Sequence, residues 1–129
     1  MQNGSKQMRF LCQVWLDGKR LDALPKPQKD AFEREVFTYD RKLIREGKLV
    51  LAHALHPPEA AVTVTVRKGH MSRTDGPFTE TKEFLAGFML MEARDIDEAI
   101  ALAAGSPIAE FSRIEVREAY PLRDEPRQP

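Results

Sequence analysis

Asp75 stands in the run Thr74-Asp75-Gly76-Pro77-Phe78-Thr79-Glu80-Thr81-Lys82-Glu83, where residue type and setting could support chemistry. A carboxylate in a cleft can act as a general base or orient a neighbouring imidazole. The plainer reading is a turn: Asp-Gly pairs bend the chain, with the carboxylate accepting backbone N–H bonds. His53 is the second candidate. An imidazole is the side chain suited to proton transfer near neutral pH, so His53 would serve as a partner for Asp75 if the two face each other. A histidine on the inward side of a strand, here with Leu51 and Leu55, is more often a hydrogen-bonded core residue than a catalyst. Arg73 can pair with Asp75 or with an anionic ligand, or stand exposed. Glu80, Lys82 and Glu83 form a mixed-charge cluster. Such clusters are usually solvated.

Other chemistries find less support. His53 and His56 are three apart on an extended segment and point to opposite faces, and His70 is remote in sequence, so no metal site is expected. Ser72 and Ser112 lack a nucleophile-elbow context, and no glycine-rich phosphate loop is present. No cofactor is expected. The single cysteine, Cys12, lies in an apolar run and reads as a packing residue, not a reactive thiol.

Alternating and helical patterns supply the elements that would hold these residues. Phe10, Cys12, Val14 and Leu16 alternate with Leu11, Gln13 and Trp15 in a first strand with one strongly apolar face. Asp17-Gly18-Lys19 reads as a turn, followed by a polar loop. Phe32, Val36, Tyr39 and Leu43 then mark a helix, with Phe37 and Ile44 widening its stripe; Pro27 suits its start and Gly47 its end. Leu49, Leu51, His53 and Leu55 define one side of a second strand, closed by Pro57-Pro58. Val62, Val64 and Val66 alternate with Thr63, Thr65 and Arg67, and Lys68-Gly69 turns this strand back on residues 70–74. Phe84 to Met91 is nearly all apolar and reads as a central strand buried on both faces. Asp95 and Glu98 form a capping-box pattern ahead of a helix with Ile96, Ala99, Ile100 and Ala103 inward. A last strand contains Ile114 and Val116. The expected fold is α+β: a ferredoxin-like β-α-β-β-α-β order with an extra central hairpin. Few helices cover one sheet face, so the other requires a partner and a homodimer is expected.

The 129 residues fit one domain, and an apolar fraction of 42% suffices for a core. Lys+Arg and Asp+Glu both number 20, a balance that argues against nucleic-acid and anionic-membrane partners. The longest apolar stretch is too short to cross a bilayer, and no targeting segment is visible. A lone cysteine suits a reducing compartment, so a cytoplasmic protein is expected. Residues 1–7 read as a flexible extension, residues 8–120 as the domain, and the proline-rich residues 121–129 as a flexible tail.

The segment Asp75 to Glu83 resembles the DGPF-x-E-T-K-E signature of the YCII-related (DGPF-domain) family. Met8-Arg9-Phe10-Leu11, Arg45-Glu46-Gly47-Lys48-Leu49, Asp95-Ile96-Asp97-Glu98-Ala99 and Ile114-Glu115-Val116-Arg117 are similar to further parts of that family, so the likeness runs over about residues 8–120. The resemblance implies a ferredoxin-like chain pairing into a dimeric α/β barrel, with a pocket near the DGPF loop. It also implies a His–Asp pair in some relatives and dechlorination of hydroxylated aromatics in one branch. Asp75 matches the aspartate; the histidine would fall near Val36, on a helix without histidine. The family match suggests that Glu80, Lys82 and Glu83 line the pocket mouth or cross a dimer interface. Taken with the residue reading, the candidate set is Asp75 as acid–base group, His53 in place of the missing helix histidine, and Arg73, Phe78, Glu80, Lys82 and Glu83 as ligand-binding residues. Three readings follow: a cofactor-independent lyase or hydrolase, a non-catalytic regulatory or ligand- or protein-binding module, or a purely structural dimer. The second draws on the family's resemblance to proteins often encoded beside alternative sigma factors.

Overall fold

The computed structural model describes residues 7–122. The chain is a mixed α+β fold with antiparallel sheets. Strand β1 (Met8–Leu16) is followed by the short helix α1 (Gly18–Asp22), the long helix α2 (Lys26–Arg45) and β2 (Leu49–Ala54). A hairpin of β3 (Val62–Arg67) and β4 (His70–Asp75) comes next, then β5 (Phe84–Ala93), α3 (Ile96–Ala104) and β6 (Ser112–Ala119). Four strands form one sheet in the order β2-β5-β1-β6, and β3 and β4 form a separate two-stranded sheet. No helix among the described residues is long and apolar enough to cross a membrane. The expected extensions at 1–7 and 121–129 lie almost wholly outside the described residues.

Period-two alternation builds the core. Phe10, Cys12, Val14 and Leu16 of β1 are buried, as are Met89, Met91 and Ala93 of the adjoining β5. Leu43 of α2 and Ala99 and Ala103 of α3 close over this face, which Leu49 of β2 completes. Tyr39 ties the two long helices by donating its hydroxyl to the Leu102 carbonyl at 2.8 Å. Asp95 caps α3 by accepting from the Glu98 N–H at 2.8 Å. The Glu98 carboxylate accepts from the Arg94 N–H at 2.8 Å and from Lys48 Nζ at 2.9 Å, joining this cap to the start of β2. These bonds hold the Glu98 carboxyl below its ordinary pKa, the Arg94 backbone bond contributing most.

The structure departs from the sequence pattern in several places. Asp17 begins a helix instead of a simple turn: its carboxylate accepts from the Lys19 N–H at 3.1 Å and caps α1. β5 is central in the sheet, but its burial alternates, so only one face is enclosed. A register shift between Leu49 and Leu51 splits β2. Leu49 pairs with Met91 on the helix side, whereas Leu51 and His53 pair with Leu90 and Phe88 on the opposite side. Phe37 and Ile44 of α2 and Ile96 and Ile100 of α3 are exposed, not inward. In each helix the buried stripe is narrower than the apolar one.

Candidate functional site

Cross-strand register decides where Arg73 and Asp75 point. In the β3–β4 hairpin Val62 pairs with Asp75, Val64 with Arg73 and Val66 with Met71. Directly paired residues share a face, so Arg73 and Asp75 belong to the valine side. Thr63, Thr65, Arg67, His70, Ser72 and Thr74 make the other side polar. Lys68 and Gly69, with φ of 51° and 79°, form the hairpin turn; paired positive φ values are those of a two-residue turn that matches strand twist.

The Asp-Gly-Pro-Phe segment begins where this hairpin closes. The Gly76 N–H donates to the Ala61 carbonyl at 2.6 Å, and the Thr63 hydroxyl donates to the Gly76 carbonyl at 2.9 Å. Gly76 has φ of 97°, a conformation that a side chain would strain, which explains glycine there. The Asp75 side chain is 89% exposed, and Arg73 Nη2 lies 3.5 Å from its Oδ1. Phe78 is also 89% exposed. Beyond it, Thr81 donates its hydroxyl to the Glu83 carbonyl. Lys82 Nζ lies 3.8 Å from Asp17 Oδ2, and Glu83 Oε2 lies 3.4 Å from Arg113 Nε. These two pairs fasten the end of the loop to the α1 cap and to β6. Glu80 is exposed.

His53 lies elsewhere, on the side of the four-stranded sheet turned away from the helices. It is exposed, not enclosed in the core. Its ring centroid is 6.0 Å from that of Phe88, with the planes tilted by 53°. Register places Leu51, Phe88, Leu90, Leu11, Gln13 and Trp15 on this same uncovered face. Phe88, Leu90, Leu11 and Trp15 are half-buried. Arg113, Glu115 and Arg117 edge the face along β6, and the Arg9–Glu92 pair, at 3.0 Å, closes it at one end. The Trp15 indole N–H is shielded from solvent without a hydrogen-bond partner among the described residues.

The chain therefore brings Arg73 to Asp75 and His53 to Phe88, without joining the two pairs. An open depression of about 480 Å³ on α2, lined by Asp30, Glu33, Arg34, Phe37 and Thr38, includes none of the candidate residues. Sequence reasoning missed Phe88 and Trp15 as members of a potential binding face. The signal was present: the odd-numbered residues of β1 alternate with its buried ones and include the chain's one tryptophan.

The family model described as the YCII-related domain matches residues 8–123. The chain belongs to the YCII-related family. It is also 37% identical over 96 residues to an uncharacterized protein of Rhizobium meliloti (strain 1021), covering 74% of this chain and 77% of that one. The family model spans every strand and helix described above. The YCII-related domain thus includes both the projecting hairpin and the uncovered sheet face.

Proposed function

We propose that this YCII-related chain is a cytoplasmic, small-molecule-binding homodimer whose ligand lies against the uncovered sheet face. One observation supports this reading above the rest: an aromatic and aliphatic surface, centred on Phe88, that no helix among the described residues covers and on which His53 stands. Ligand sites characteristically combine apolar lining with a few polar groups that fix orientation. The matching ligand is small and partly planar, with an anionic or hydrogen-bonding group for His53 or Gln13. The strand order β2-β5-β1-β6 supports a ferredoxin-like reading with the hairpin as an insertion, and its uncovered face supports pairing with a second copy.

Binding without turnover is the better fit to the exposed position of Asp75. An acid–base site needs a second titratable group within hydrogen-bond reach, and the group beside Asp75 is a guanidinium, which only donates. The catalytic reading makes Asp75 the acid–base group of a cofactor-independent lyase or hydrolase. It gains from the Arg73 pairing only if the pair enters an enclosed site.

Asp75→Asn and Asp75→Ala separate a binding role from a turn-forming one. Fluorescence of the one tryptophan, Trp15, reports the binding of small aromatic carboxylates. If Asp75 orders a ligand, Asn leaves the melting temperature unchanged and shifts the dissociation constant at least tenfold. If it only shapes the turn, binding is unchanged by Asn, and Ala costs about 0.5–2 kcal/mol of stability, as lost side-chain caps do.

A further inference from the structure

The β3–β4 hairpin is the least covered part of the fold. Val62, Val64, Val66 and Met71 make its apolar side, and each is between 46% and 63% exposed. Among the described residues its strands pair only with each other. An isolated two-stranded hairpin is marginal in water and needs a surface to pack against. The whole chain has 9806 Å² of accessible surface, whereas a compact monomer of 14.7 kDa has about 6,900 Å². Counting the thirteen terminal residues outside the description as fully exposed still leaves an excess of about 1,300 Å². One partner's share of a standard interface is about 800 Å².

The chain also carries a surface to match. The uncovered sheet face has an apolar middle of Leu51, Phe88 and Leu90, with His53 beside it. The hairpin has an apolar middle of valines, with Asp75 and Arg73 towards its base. Whatever covers the valines must also cover that charged pair, and burying a carboxylate requires a compensating donor. His53 supplies one.

We propose that the hairpin is an exchanged arm: its valine face docks on the uncovered sheet face of a second copy and carries Arg73 and Asp75 to His53 of the partner subunit. Each ligand site is then built from two chains, and the Asp–His proximity absent from one chain arises across the interface. The ligand-site assignment rests on the binding reading above, whereas the docking itself does not.

The test combines sedimentation velocity with acrylamide quenching of Trp15, and no ligand enters it. Wild type is expected to sediment as a dimer with Trp15 shielded. Val64→Glu, on the docking side, is expected to give a monomer at micromolar concentration and at least a twofold rise in the quenching constant, with far-UV circular dichroism unchanged. Thr65→Glu, on the polar side of the same strand, is expected to behave as wild type. If Val64→Glu does not fold, Val64→Thr, which keeps the branched shape, is expected to weaken the dimer measurably. A monomeric wild type would overturn the proposal. So would a Val64 variant that remains as dimeric as wild type, or a monomeric variant with Trp15 no more accessible than before.

Discussion

Burial raises the pKa of Cys12 and of Asp40 for the same reason: each loses the water that would solvate its anion. The Cys12 thiol, fully buried in β1, is pushed up to about 11. At pH 8 only on the order of one thiol in a thousand would then be thiolate, the form that reacts. Native protein should therefore leave a thiol reagent almost unused over a period in which urea-unfolded protein reacts completely. Rapid stoichiometric labelling of the folded state would contradict this. Asp40, on the inner margin of α2, has one carboxylate oxygen shielded from solvent without a hydrogen-bond partner among the described residues, and burial raises its pKa. A raised carboxyl pKa favours the folded state below the unfolded value, about 3.9, and this contribution is lost as pH rises through the folded value. Asp40→Asn should melt higher than wild type at pH 7, with the difference shrinking as pH falls towards about 4. A constant difference across that range would assign the effect to something other than ionisation. The burial of Cys12 was legible from alternation in the sequence. Asp40 was not, because a polar residue between Val36 and Leu43 reads as the edge of an apolar stripe until the packing fixes how wide that stripe is.

Among the elements, β1, α2, β3 and α3 follow from periodicity and caps, and the differences have local causes. α1 has only five residues, too few for an apolar period, so Asp17-Gly18 alone suggests a turn. The position of His53 depended on one irregularity: the register shift between Leu49 and Leu51 sends later residues of β2 to the other face. No composition signal marks that shift, and it moved His53 from an expected inward position to the uncovered face. The adjoining strand shows how closely β2 and β5 are set. A Cβ built on Gly87 would lie 2.7 Å from the His53 carbonyl oxygen, a backbone atom that cannot swing away. Gly87→Ala should destabilise the fold by about 1–3 kcal/mol, as overpacking does, seen as a lower urea midpoint with unchanged slope. Because His53 sits at the point of contact, the same variant should also disturb whatever His53 binds. A midpoint equal to wild type would mean that β2 moves away freely.

At the scale of the whole molecule, the sequence led to the element order and family, and a partner was expected because two helices of any length cannot cover both sides of a sheet. The division into a four-stranded sheet and a detached hairpin was less legible. The Val62–Val66 alternation predicts a strand with one apolar side, but not that this side lacks a cover among the described residues. Nor could spacing show that Asp75 and Arg73 share that side while His53 stands on another sheet; both facts come from register. Together they make the uncovered sheet face the centre of the functional account. The most direct test is a crystal structure of the protein soaked with a mixture of small aromatic and carboxylated metabolites. The account predicts ligand density against Phe88 and His53, with Asp75 of a second copy beside it. Density on the helix side of the sheet, or a sheet face open to solvent and empty while ligand occupies another site, would contradict it.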